Sequence, residues 1–149
     1  MSNELLSKFQ RQINRISDSD KATRKMGLKK LNDELPFTSK KERKNLQEVI
    51  LEHLMKPLLY GISDSVEKCR EYSLTIISKS IDILEKESIT LIIEDIISKL
   101  CSRIGDIPYP EVTEELRLLI LTILNKIVLY VNILQSEDLK VKLADIVVN

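Results

Sequence analysis

With 149 residues, 43% apolar and 31% charged, the chain can bury a substantial core and is too mixed in composition to be disordered or membrane-embedded. Lys plus Arg and Asp plus Glu each number 23, so it lacks the basic surplus of a dedicated nucleic-acid binder. No apolar run is long enough to cross a bilayer, and the amino-terminal MSNELLSKFQRQ has no signal-peptide core. Cys69 and Cys101 stand far apart with no CxxC, which suits buried thiols in a reducing compartment. The expectation is a cytoplasmic protein, with no membrane or nucleic-acid partner.

Taken in chain order, Leu5, Leu6, Phe9, Ile13 and Ile16 recur at steps of three and four and predict a helix over 3–16. Asp18-Ser19-Asp20 interrupts the pattern and supplies caps for a second helix over 21–35, which Pro36 ends. Thr38 or Ser39 is placed to cap a third helix over 41–62. Pro57 lies inside that helix and should bend it near residues 52–55, because proline supplies no backbone N–H. Val66, Cys69, Leu74, Ile76, Ile77, Ile81 and Leu84 then mark a partner helix over 65–84. The Ile-rich stretch over 88–104 pairs its apolar residues every three to four positions rather than alternating them, so it reads as helix, not strand. After the proline-containing loop GDIPYPEV, Thr113 opens a sixth helix, with Glu114 and Glu115 at its positive end. A seventh amphipathic helix is predicted over 136–148.

The segments ISDSDKATRK, ISDSVEKCRE and IGDIPYPEVTEELRL align as one recurring turn. Asp18 precedes Arg24 by six residues, and Asp64 precedes Arg70 by six. Asp106 precedes Arg117 by eleven, which reads as an insertion of five in the IPYPE loop. The arginines recur at 46 and 47 residues, a helical-hairpin period that HEAT and armadillo arrays share. Two helices per unit, with an Asp in the turn and an Arg in the second helix, resemble the HEAT pattern. The predicted fold is therefore all-α, an α-solenoid of HEAT-type hairpins over about 3–35, 41–84 and 88–131 with a partial repeat over 136–149. It is read as a single domain from the amino-terminal part of a longer chain. Asp18, Arg24, Asp64, Arg70, Asp106 and Arg117 are read as structural, linking adjacent repeats by charge-assisted hydrogen bonds.

Nothing in the sequence assembles a catalytic group. His53 is the only histidine and has no carboxylate or cysteine cluster at ligand spacing, so a packing or surface role is the better reading. GxGxxG, GxxxxGK[ST], GxSxG and HExxH are all missing, and three glycines cannot build a phosphate cradle. No enzyme activity, cofactor, metal or small-molecule substrate is expected. Two surface features could meet a protein partner. One is the basic run Lys40, Lys41, Arg43 and Lys44 around Glu42, although so short a run is more often a solvated helix start. The other is Tyr109 between Pro108 and Pro110, either an anchor for a partner or a side chain folded back on its own repeat. Glu111, Glu114 and Glu115 form an acidic patch that the helix dipole explains.

LMKPLLYGISDSVEKCREYSLTII and RIGDIPYPEVTEELRLLILTIL resemble the amino-terminal repeats of the HEAT-repeat axonemal dynein assembly factor. The resemblance rests on Ser63, Asp64, Glu67, Lys68, Cys69, Arg70 and Glu71, then Pro110, Glu114, Glu115, Leu116, Arg117 and Leu118, and spans about two thirds of the chain. It implies a non-enzymatic scaffold in the cytoplasmic preassembly of dynein arms, with dynein chains or co-chaperones as partners. The Ile- and Lys-rich composition departs from the Leu/Ala-rich repeats of that family, and no family site residues carry over. A tubulin-binding array of the TOG type ranks second, since the chain has no Trp and its third turn is acidic. A phosphatase-type regulatory scaffold is a third possibility.

Overall fold

A computed structural model describes residues 3–134 and Ala144, and among these every regular element is a helix. They are α1 (Glu4–Arg15), α2 (Lys21–Glu34), α3 (Arg43–Val49), α4 (Met55–Gly61), α5 (Glu67–Ile83), α6 (Lys86–Ser102) and α7 (Glu114–Leu134). The all-α repeat expectation holds, with element ends within a few residues of those predicted. The helix predicted over 136–148 lies outside the described residues.

The chain forms two compact units, Met1–Leu84 and Glu85–Asn149. In the first, α1 packs on α2, α2 packs on α5, and α4 packs on α5, so two helical hairpins stack side by side. Their apolar stripes supply a core that includes Phe9, Leu28, Leu31, Leu46, Val49, Leu54, Leu58 and Ile62. In the second unit α6 packs on α7, with Ile89, Ile93, Leu100, Leu116, Ile120 and Ile127 buried.

Local chemistry explains the ends of the helices. The Asn3 side chain accepts from the Leu5 and Leu6 N–H groups and caps α1. Asp20 does the same for α2, accepting from the Thr23 N–H at 2.9 Å and its hydroxyl at 2.7 Å. The Ser39 hydroxyl oxygen accepts from the Glu42 N–H at the approach to α3.

Between α3 and α4 the rod stays helical but runs through a π-helical turn, Ile50–Leu54, closed by the Met55 N–H on the Ile50 carbonyl. Pro57 cannot donate to the carbonyl one α-turn earlier. The departure from α geometry thus sits just before the proline and overlaps residues 52–55, where bending is predicted.

Candidate functional site

The turns of the three hairpins, α1 to α2, α4 to α5 and α6 to α7, are each built on one carboxylate and one arginine six residues later. The Asp18 carboxylate accepts from the Asp20 N–H at 2.8 Å, and the Asp64 carboxylate accepts from the Val66 N–H at 2.9 Å. In the third turn the Glu111 carboxylate accepts from the Thr113 N–H at 3.2 Å. This local bond fixes the chain just before a helix begins, as Asx-type turns do. The arginine then reaches back with Nη1 to the carbonyl of the carboxylate residue. Arg24 donates to the Asp18 carbonyl at 3.1 Å, Arg70 to that of Asp64 at 3.0 Å and Arg117 to that of Glu111 at 2.9 Å.

The third rung therefore starts at Glu111, and the assignment to Asp106 is corrected. Asp106 lies exposed in the loop and makes no side-chain hydrogen bond among the described residues. The added loop residues precede the rung instead of splitting it. Glutamate, one methylene longer than aspartate, spans the same two-residue reach. Counted on the carboxylates, the rungs recur at 46 and 47 residues.

One rung is joined to the next across the first two hairpins. Arg24 donates Nε to Asp64 Oδ2 at 2.8 Å and Nη2 to Oδ1 at 3.0 Å, a two-pronged pair between side chains that are only 16% and 8% exposed. Burial pushes the Asp64 carboxyl up, but the Arg24 hydrogen bonds, the Val66 N–H and the charges of Arg24 and Arg70 outweigh it, so the carboxyl lies below its usual range. Donating these hydrogen bonds to Asp64 correspondingly raises the Arg24 pKa.

Glu111 is fully buried. Its N–H donates to the Arg103 carbonyl at 3.0 Å, and its carboxylate lies 3.6 Å from Arg103 Nη2, which donates to the Pro110 carbonyl at 3.1 Å. The loop is thereby tied to the end of α6.

Of the sequence-predicted contact residues, Tyr109 is partly folded back. Its ring lies 5.0 Å from the Arg117 guanidinium, a cation–π arrangement, and it stays 41% exposed. With Ile104, Glu114, Leu118 and Leu121 this pair lines a cleft of about 420 Å³. Lys40, Lys41, Arg43 and Lys44 are all exposed. Lys44 borders a mixed-charge cleft that also includes Lys8, Glu34, Glu42 and Glu48, so the run is partly countered by carboxylates. His53 Nε2 is 3.8 Å from the Glu52 carboxylate on the same helical rod.

A further cleft was not singled out from the sequence. Ile16, Ser17, Arg24, Lys56, Pro57, Tyr60, Gly61 and Asp64 enclose about 460 Å³ in the first unit. Tyr60 is 67% exposed. The sequence signal was the spacing of Lys56, Pro57 and Tyr60 on one helical face, but Ile16 and Ser17 join them only through the stacking of the hairpins.

A family model described as "Dynein axonemal assembly factor 5-like, TPR repeats" matches residues 15–148, a span that contains all three rungs. The chain belongs to this family. A curated relative, "Dynein axonemal assembly factor 5" of Xenopus laevis, is 34% identical over 118 residues. That alignment covers 79% of this chain and 14% of the relative, so the chain spans a small part of the relative's length. No solved structure matches. In this chain the rung residues form an internal frame of hydrogen bonds, and the clefts lined by Tyr60 and by Tyr109 lie beside it.

Proposed function

We propose that this chain is a non-enzymatic repeat scaffold that binds proteins during the cytoplasmic preassembly of axonemal dynein arms. The observation that carries the reading is the family match over residues 15–148. Its partners are dynein chains or the co-chaperones that fold them, met through exposed side chains at the turns and loops. Tyr109 and the basic side chains of Lys40, Lys41, Arg43 and Lys44 are the contact residues put forward from the sequence. The repeats are of HEAT type, because a period of 46–47 residues fits HEAT hairpins and exceeds the roughly 34 of tetratricopeptide repeats.

Affinity capture from lysate of ciliated cells tests this, with dynein heavy and intermediate chains, co-chaperones and tubulin quantified by mass spectrometry. Enrichment of dynein chains or co-chaperones without tubulin is expected, reduced by Tyr109→Ala or by charge reversal at Lys40 and Lys41. Tubulin enriched alone would replace this reading with the TOG-type one.

A further inference from the structure

The cleft beside Tyr60 has the makings of a recognition pocket. Tyr60 is the most exposed aromatic ring among the described residues and stands on the last turn of α4. Pro57 and Lys56 precede it by three and four residues, which puts all three on one helical face. The first turn contributes Ile16 and Ser17. The cleft encloses about 460 Å³, room for one large side chain and the backbone that carries it.

Its electrostatics are specific. Arg24 and Asp64 lie at its edge but are committed to each other at 2.8 and 3.0 Å, so this pair offers no net charge. Lys56 is exposed and has no carboxylate partner among the described residues. The remaining unspent charge of the lining is therefore a single ammonium beside an aromatic and aliphatic wall. A basic residue would be repelled there. A purely apolar one would leave the ammonium unused.

We propose that this cleft docks an extended segment of a partner protein, which inserts an apolar side chain against Tyr60, Pro57 and Ile16 and sets a neighbouring carboxylate on Lys56. The proposal rests on the reading of the chain as a protein-binding scaffold and supplies the chemistry of one partner segment. The aromatic wall gives most of the affinity, as tyrosine anchors do at interfaces, and Lys56 selects the acid. An exposed pair of this kind discriminates by about threefold.

The test is amide chemical-shift mapping by NMR on the whole chain, titrated with three blocked dipeptides: acetyl-Leu-Glu-amide, acetyl-Leu-Gln-amide and acetyl-Leu-Lys-amide. The largest shifts should cluster at Ser17, Lys56, Tyr60 and Gly61, with the Glu probe binding about threefold tighter than Gln. Lys56→Gln should erase the Glu-over-Gln preference and leave the Gln probe unchanged, while Tyr60→Ala should weaken both about tenfold. Both side chains are exposed, so the variants should keep the parent spectrum elsewhere. Shifts that cluster on another surface, equal affinity for all three probes, or indifference to Tyr60→Ala would each overturn the proposal.

Capture of dynein chains separates this proposal from the wider reading. If the dipeptides behave as stated but wild-type chain captures neither dynein chains nor co-chaperones, the cleft stands and the dynein reading falls. If Tyr60→Ala captures them as well as wild type does, the cleft is not where they dock.

Discussion

Gly61→Ala tests how closely the two helices of the second hairpin approach. A Cβ built on Gly61 would lie 2.1 Å from Ser73 Oγ and 2.9 Å from Ser73 Cβ, where ordinary contact begins at 3.4 Å. Rotating the hydroxyl can relieve the first overlap. The second involves a Cβ fixed to the α5 backbone, so α4 and α5 must separate. Overpacking of this kind costs about 1–3 kcal/mol, and the gain in helix propensity offsets at most about 1 kcal/mol of it at the end of a helix. A net loss of about 1–2 kcal/mol is expected from urea unfolding followed by far-UV circular dichroism. In a Ser73→Gly background both offending atoms are gone, and Gly61→Ala should then cost at least about 1 kcal/mol less. Equal costs in the two backgrounds, or a stabilising Gly61→Ala, would show that the helices are not in contact there.

Other outcomes follow from the same geometry. Ser73 Oγ is buried without a hydrogen-bond partner among the described residues, so Ser73→Ala should leave stability unchanged or raise it by up to about 1 kcal/mol in the same unfolding assay. Asp64→Asn should cost about 2 kcal/mol near neutral pH, since it removes the charge from the Arg24 fork. The folded Asp64 carboxyl is held below its unfolded value, so its contribution is full above about pH 4 and is lost as pH falls through the folded value. Unfolding free energy measured against pH should thus be flatter in Asp64→Asn below about pH 4; an unchanged curve would contradict the pair. Burial raises both the Cys69 and the Cys101 thiols, so each should react at least about tenfold more slowly with a thiol reagent than in the unfolded chain. Cys69, fully buried, should be the slower of the two.

The helices were legible because apolar side chains repeat at helical spacing from Leu5 to Val131, and tertiary packing uses those same stripes. The first two rungs were legible because Asp18–Arg24 and Asp64–Arg70 share both residue types and spacing. The third was misread because Asp106 preserves the residue type while Glu111 preserves the spacing, and the hydrogen bond depends on spacing. A glutamate that reads from sequence as one member of an acidic helix start is in fact a buried turn residue. Tyr109 was ambiguous until its ring was placed over Arg117, a residue whose arginine role was already assigned elsewhere. The Tyr60 cleft was invisible because Ile16 and Lys56 meet only after the hairpins stack.

The repeat frame is tested most directly by comparing Glu111→Ala with Asp106→Ala in urea unfolding. If the carboxylate–arginine rung recurs at 46 and 47 residues as described, Glu111→Ala loses about 2–4 kcal/mol, because it strips a buried carboxylate from the Thr113 N–H and from Arg103. Asp106→Ala should then stay within about 0.5 kcal/mol of wild type. A large loss at Asp106 with little change at Glu111 would contradict the frame and restore the register read from the sequence.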